Sequence, residues 1–376
     1  MLKLIKKTVY LNRYVLTALS ILVLLSGCQA GSRPRLRRSD FFGNPWGMRF
    51  ADPNDLGRHC LDNCRDEKLG LVYTCRAGFV DLGHLREAAD RTYSIAQITY
   101  KNLMQSNTNY SYAVIEPSRY YITLAYPDPW QDRPVQERGV VAQEISVQLG
   151  QYLAHTSLIW HEILTWYGFS SSWFFSENIS AFSPEDPYSD VLGTHLAATI
   201  LNEPPCFYDE SIYEQVMTTR IDETLKELDV QPIKIAKQAL EAVKGQWYDG
   251  GYYFFVKMKK RDFDVGFDDG IVAPWQVPGI CLDAEAQDCP APNLGFLNTY
   301  GFEVHIQIDP VEFQKGQIYK VLGLKHSDRI TPDIHFPIII ESIRKKAKQL
   351  NGNDVDTPDQ DETALKPNTT RVTKDD

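Results

Sequence analysis

A histidine and a glutamate stand side by side near the end of a long stretch with helical periodicity. The stretch runs from Glu137 to Trp166, and the pair is His161-Glu162. Most of its residues are apolar, which predicts a largely buried helix. Its polar face pairs with partners inside the protein, lines a wet cleft or is the solvent-exposed side of the helix, and the sequence leaves these alternatives open. Residues spaced alternately four and three positions apart form one stripe along this face of the helix. They are Glu144, Gln148, Gln151, His155, Leu158, Glu162 and Thr165.

A neighbouring His and Glu on a helix suit metal-assisted hydrolysis. In the H-E-x-x-H pattern two histidines bind zinc, and the glutamate acts as general base on the zinc-bound water. Here Thr165 occupies the second histidine position. A zinc ion would therefore need a substitute ligand, since threonine is a poor one. The candidate substitutes are His195, His155 and His84.

The segment Asp186–Gly193 resembles the second helix of the thermolysin-like (gluzincin) metallopeptidases. In that family an acidic ligand is followed by Ser after three residues, by Asp after four and by Gly after seven. Ser189, Asp190 and Gly193 stand at these offsets. The resemblance is short and departs from the family pattern at Thr165 and in having Asp in place of the usual Glu.

That resemblance implies a role for each matching residue. His161 and Asp186, or Glu185 beside it, would bind the metal, with zinc as the expected ion. Glu162 would be the general base, and Asp190 would orient a ligand histidine. An inactivated version of the same site is the alternative.

A second set of polar residues lies at the start of the helix predicted over 81–103. Asp81 and His84 are one helical turn apart, so they could act as a base and its orienting partner, or as a metal ligand and the residue that orients it. The alternative is structural: Asp81 caps the helix and His84 belongs to its first turn. If Glu162 faces the turn 185–190, several carboxylates crowd together. Arg86 is then the expected counter-ion, and a divalent metal is the alternative.

The chain also resembles a family of uncharacterised Gram-negative lipoproteins that share a domain of unknown function. The resemblance covers most of the folded body and implies no activity. Three stretches carry it: Gly78–Arg86, Glu162 with Thr165–Gly168, and Phe182–Gly193.

Residues 1–27 have the form of a secretory signal, with basic residues before the apolar run Tyr14–Leu25. The sequence Leu25-Ser-Gly-Cys28 resembles a bacterial lipobox, which implies cleavage before Cys28 and lipidation of its thiol. Gln29 follows, which implies transfer to the outer membrane. An ordinary cleaved signal is the alternative. Residues 28–40 are predicted to be a lipidated tether with basic residues.

Six of the 7 cysteines remain after Cys28 is set aside. An even number in an exported protein predicts up to three disulfides and no free thiol. Cys281 and Cys289 flank a short loop and are expected to pair. The other four are Cys60, Cys64, Cys75 and Cys206.

Net charge bears on the binding partners, and hydrophobic periodicity bears on the fold class. The net charge is −10, and the first 27 residues carry four basic residues and no acid, so the remainder carries −14. A protein with this negative charge repels the phosphate backbone of nucleic acids, so nucleic acid is not an expected partner. We expect an α+β fold, mainly helical with a few antiparallel strands, over residues 41–350, and a disordered acidic tail over 351–376.

These features predict a lipoprotein anchored in the outer membrane and facing the periplasm. Its expected activity is hydrolysis of an envelope substrate, with Glu162 as general base. The alternative is a non-catalytic lipoprotein that binds an envelope component or a protein partner and retains a degenerate metallopeptidase-like site.

Overall fold

A computed structural model describes residues 49–61, 65–169, 180–249 and 257–358. The predicted signal, Cys28, the tether and residues 359–376 lie outside these ranges. Of the strand predicted over 252–258, only Lys257–Met258 is described. None of the helices in the described part of the chain is both long enough and apolar enough to cross a membrane.

Three helices form the centre of the described structure. They are α1 (Leu82–Met104), α2 (Val135–Trp166) and α3 (Asp186–Leu201). Helix α1 follows directly from a hairpin of β1 (Leu71–Thr74) and β2 (Gly78–Asp81). The sequence predicted each of the three helices to within two residues, and α3 to the residue.

Two glycines let these helices approach closely. A Cβ atom on Gly193 of α3 would lie 2.1 Å from the carbonyl oxygen of Leu85 in α1. A Cβ atom on Gly150 of α2 would lie 2.9 Å from the Cβ of Ala96, also in α1. Helix α1 therefore packs against both partners with its backbone almost in contact, which fixes its register along them.

The strands form small antiparallel sheets. β1 pairs with β2 on one side and with β5 (Val230–Gln231) on the other. In a second sheet β4 (Arg119–Ala125) lies between β3 (Asn109–Tyr112) and β10 (Glu303–Asp309). Two short pairs join β6 (Tyr248–Asp249) to β7 (Lys257–Met258), and β8 (Ile271–Val272) to β9 (Cys289–Pro290).

The remaining described helices surround this centre. They are α4 (Pro204–Tyr208), α5 (Glu210–Glu227), α6 (Ile233–Ala242), α7 (Leu297–Tyr300), α8 (Lys315–Leu322) and α9 (Pro332–Asn351). The largest hydrophobic core lies between α2, the sheet of β3, β4 and β10, and α9, where the rings of Trp160 and Phe336 stack at 5.8 Å. The fold is α+β, as the sequence predicted.

The packed chain continues past Leu350, where the sequence predicted the folded body to end. Val355 is buried, and its carbonyl oxygen accepts a hydrogen bond from the Arg261 amide at 2.7 Å. Asp356 forms ion pairs with Arg344 and Lys348 of α9. These contacts are tertiary, so the polar composition of this segment did not reveal them.

The disulfide expected between Cys281 and Cys289 is wrong. Cys281 is bonded to Cys75, with the two Cα atoms 5.4 Å apart. Gln276 donates a side-chain hydrogen bond to the Cys75 carbonyl at 2.6 Å, so the segment before Cys281 lies along the β1–β2 turn. Tertiary packing, and not proximity in sequence, selects the pair. Cys206 and Cys289 are buried and free, so the expectation of no free thiol is also wrong.

Candidate functional site

His84, in the first turn of α1, faces two carboxylates of α3. Its Nδ1 lies 3.3 Å from Oδ1 of Asp190 and 3.5 Å from Oδ1 of Asp186, and its side chain is 13% exposed. Asp81 caps α1 by accepting a hydrogen bond from the Gly83 amide at 2.6 Å. The capping role of Asp81 is therefore present, and His84 also reaches other carboxylates.

Short hydrogen bonds hold the first turn of α3 against the start of α1. The Asp81 amide donates to Ser189 Oγ at 3.0 Å, and that hydroxyl donates to the Glu185 carbonyl oxygen at 2.6 Å. The Ser183 hydroxyl donates to Oδ2 of Asp186 at 2.7 Å. Together with the close contact at Gly193, these bonds position the acidic residues of α3 beside His84.

Helix α2 brings Glu162 to the same place. Glu162 is buried, and its Oε2 accepts a hydrogen bond from the Phe182 amide at 2.5 Å. Arg261 is also buried here and donates a hydrogen bond to the Ala181 carbonyl oxygen. Its positive charge acts on Glu162 and Asp186. We call His84, Glu162, Glu185, Asp186 and Asp190 the acidic cluster.

Burial changes the protonation of the acidic cluster. It raises the pKa of Glu162, raises that of Glu185 to about 8, and raises that of Asp186 well above its usual range. Burial alone would lower the pKa of His84, but Asp186 and Asp190 raise it well above its ordinary value. The cluster therefore holds protons near neutral pH, as a site for acid–base chemistry requires.

His161 turns toward a different carboxylate. Its Nδ1 lies 2.7 Å from Oε1 of Glu116, and Arg91 approaches the same carboxylate at 2.9 and 3.2 Å. Burial would raise the pKa of Glu116, but Arg91 and His161 lower it to about 2. Burial would lower the pKa of His161, but the bond to Glu116 raises it to about 9. His161 is thus a charged neighbour of Glu162.

A family model described as "Protein of unknown function (DUF4056)" matches residues 49–269. The chain belongs to the DUF4056 family. The match spans α1, α2, α3 and Arg261, so the acidic cluster lies wholly inside the family domain. This confirms the resemblance to an uncharacterised family. A search of curated proteins found no match, and a search of solved structures found none.

Three other predicted residues of this DUF4056 domain make their hydrogen bonds to groups outside the acidic cluster. Arg86 donates to the Leu56 carbonyl at 2.8 Å and lies 3.6 Å from Glu67. Two positions beyond His84, it points away from α3. The expected counter-ion therefore does not reach the cluster, and Arg261 takes that place. His195 and His155 instead contact carbonyl oxygens, those of Pro290 at 2.5 Å and Val265 at 3.0 Å.

The predicted polar stripe on α2 is divided. Glu144, in the first half of the helix, is exposed, whereas Gln151, His155, Glu162 and Thr165 are buried. The polar stripe is therefore solvent-exposed only in the first half of α2. In the second half it faces the interior of the protein, beside α1 and α3.

The described ranges contain no group of three or more His, Cys, Asp or Glu side chains arranged to hold a metal ion. His161 lies against Glu116 and Asp186 lies against His84. Zinc binding by His161 and Asp186 therefore stays a prediction.

Arg91, Glu116 and Arg261 were not among the residues predicted from the sequence. One signal was available: Arg86-Glu87 and Asp90-Arg91 put four charges into two turns of a helix that is otherwise apolar on several faces. All four are buried. Buried charges require partners on neighbouring elements, so this pattern predicts a polar network through α1. Glu116 and Arg261 lie outside the described helices, and no local pattern marks either of them.

Proposed function

We propose that this chain is an exported lipoprotein whose DUF4056 domain is a hydrolase, with Glu162 as the general base. The observation that carries the proposal is the acidic cluster. Four buried carboxyl groups from two helices surround one histidine, and burial shifts the pKa of at least three of them. The raised pKa values of Glu185 and Asp186 keep protons in the cluster near neutral pH, where acid–base catalysis uses them.

The cluster offers the two partners that hydrolysis needs. Glu162, when ionised, can take a proton from water as the water oxygen attacks an electrophilic carbon or phosphorus. The Phe182 amide fixes one of its oxygens and leaves the other to accept that proton. A protonated carboxyl such as Glu185, with its pKa of about 8, can return a proton to the leaving group. Arg261 beside them can stabilise developing negative charge.

The cell envelope is the proposed location. Support comes from the signal over residues 1–27, from the lipobox ending at Cys28, and from the Cys75–Cys281 disulfide. Disulfides persist in oxidising compartments such as the periplasm. A lipid anchor at Cys28 would hold the domain on the outer membrane, with an envelope component as substrate.

The experiment uses isotopically labelled water, so the substrate does not have to be known beforehand. Purified protein is incubated with an envelope fraction in H₂¹⁸O, and released products are analysed by mass spectrometry. Hydrolysis places ¹⁸O in the product. The expected result is labelled product from the wild type and a loss of at least about a hundredfold for Glu162→Gln, since general-base catalysis contributes on that order.

Glu137→Gln is the matched control, because Glu137 is an exposed residue of the same helix. It should retain wild-type labelling. Equal labelling by Glu162→Gln and the wild type, or none by either, would overturn the hydrolase proposal and favour the non-catalytic envelope binder.

A further inference from the structure

A cavity of about 240 Å³ lies between the segment 263–268 and helix α9. It is distinct from the acidic cluster, none of whose members lines it. Its apolar lining comes from both sides: Phe263, Val265, Phe267, Pro337 and Ile340. Phe267 is 38% exposed, so the cavity opens to solvent along this ring. Its volume suits a small organic molecule or one large side chain.

The polar lining is acidic. It consists of Asp264, Asp268, Glu341 and Arg344. Arg344 is the one cation among them, and its guanidinium is already paired, 3.3 Å from Asp356 and 3.6 Å from Glu341. Within the described ranges, neither Asp264 nor Asp268 has an ion pair. The lining therefore carries uncompensated negative charge.

The segment itself concentrates this charge. Burial raises the pKa of Asp264, and the neighbouring charges of Asp268 and Asp269 raise it further. Just before it, Asp262 is buried, and its Oδ2 has no hydrogen-bond partner in the described structure. A cation in the cavity would relieve the repulsion among these carboxylates.

We propose that this cavity is a binding site for a small organic amine, in which an ammonium group meets Asp264 and Asp268 and an apolar body lies against Phe263, Phe267 and Ile340. The aromatic walls favour the same ligand class, because aromatic faces attract cations and bury apolar surface. An anionic ligand would face the carboxylates of Asp264 and Asp268, and Arg344 of the lining is already paired with Asp356 and Glu341.

The inference does not depend on the proposed hydrolase, although the two sites are neighbours. The ring of Phe263 packs 5.1 Å from that of Phe182, and the Phe182 amide bonds to Glu162. Binding is measured without any substrate of the acidic cluster. The hydrolase proposal can therefore fail while the amine site stands, and the reverse also holds.

The test uses three probes of matched shape and different charge. They are 2-phenylethylamine, 2-phenylethanol and 3-phenylpropionate, and each is titrated into the purified chain by calorimetry or ligand-observed NMR. The amine should bind at least about tenfold more tightly than the alcohol, and the carboxylate should bind most weakly. Equal binding of the amine and the alcohol, or no detectable binding of the amine, would overturn the proposal.

Substitutions in the cavity lining test whether the amine binds at this site. Asp264→Asn and Asp268→Asn should each weaken the amine by about tenfold and leave the alcohol unchanged. The substitution at Asp264 keeps a side-chain oxygen that can accept from the Gly266 amide, which donates to Asp264 at 3.1 Å. Phe267→Ala should weaken the amine and the alcohol alike. Glu137→Gln is the control, because Glu137 is exposed on α2 and does not line the cavity, and it should bind as the wild type does. Unchanged amine affinity in both lining variants would refute the site.

Discussion

Glu185 shows how burial sets the chemistry of a single residue. It is buried at the start of α3, and its pKa is raised from 4.5 to about 8. Between these pH values the folded chain holds a proton that the unfolded chain has released. The free energy of unfolding therefore falls as pH rises through this range, by at most about 1.4 kcal/mol per pH unit for this group.

Glu185→Gln cannot release a proton, so it should flatten this part of the stability curve. The comparison is sharpest between about pH 5 and 6.5. There Glu116, whose pKa is depressed to about 2, and His161, raised from 6.5 to about 9, contribute little slope. Urea unfolding at several pH values measures the effect, and Glu137→Gln serves as the exposed control. Parallel curves for Glu185→Gln and the wild type would contradict the raised pKa.

Arg91 illustrates the cost of charge inside the protein. It is buried, 2.6 Å from Glu87 and 2.9 Å from Glu116, and Ser157 accepts a further bond at 3.0 Å. Removing it takes away the cation that Glu87 and Glu116 share and leaves His161 as the remaining charged partner of Glu116. Arg91→Met should cost about 3–5 kcal/mol of unfolding free energy, the usual penalty for breaking a buried pair.

Arg220→Met is the matched control, because Arg220 is 39% exposed and pairs with Glu223 across one helical turn. That change should cost less than about 1 kcal/mol, as exposed pairs contribute little. Chemical denaturation of both variants gives the comparison. Similar small losses would mean that the network around Glu116 contributes no stability.

At the scale of elements, the acidic cluster depends on how closely α3 approaches α1. Gly193→Ala would place a Cβ atom 2.1 Å from the Leu85 carbonyl oxygen, so the helices must move apart. Overpacking of this kind costs about 1–3 kcal/mol or more. It should also lengthen the contact of His84 with Asp190, which NMR titration of the His84 ring can follow as a lowered pKa.

Gly139→Ala is the control for that change. A Cβ atom there would lie 3.6 Å from the Tyr100 hydroxyl, an ordinary contact, and Gly139 lies within α2. Alanine should be neutral or should stabilise the helix by up to about 1 kcal/mol. If both variants unfold alike and the His84 titration is unchanged in Gly193→Ala, close packing does not position the cluster.

The sequence predicted these elements better than their contacts. Periodicity and helix-ending residues located α1, α2 and α3 because these signals are local. The meeting of Glu162 with Asp186 and Asp190 was predicted through a resemblance. The direction of His161 toward Glu116, and the position of Arg261, depend on which loops pass over α2. The path of these loops leaves no local pattern in the sequence. The predicted pairing of Cys281 with Cys289 was wrong for the same reason, because tertiary packing selects the disulfide partner.

At the scale of the whole molecule, the Cys75–Cys281 disulfide joins residues 206 positions apart. It ties the β1–β2 turn to the segment after Trp275. Among the described cysteines, Cys206 and Cys289 should react with a thiol reagent only after denaturation, and Cys75 and Cys281 only after reduction. Peptide mapping of the labelled protein identifies the sites. Labelling of Cys75 without reduction would contradict the bridge.

The remaining prediction concerns how the whole molecule is held in the cell. A basic and apolar leader followed by Leu-Ser-Gly-Cys28 predicts a thioether-linked diacylglycerol on Cys28. Each buried methylene contributes about 0.8 kcal/mol, so several acyl chains on Cys28 would anchor the protein durably without a spanning helix. Cys28→Ser should abolish fatty-acid labelling and move the protein from the membrane fraction to the soluble one. Cys206→Ser removes a free buried thiol instead and should stay labelled and membrane-bound. Continued labelling of Cys28→Ser would place the lipid on another residue, and an unlabelled wild type would exclude it. Either outcome removes the main support for the proposed envelope substrate.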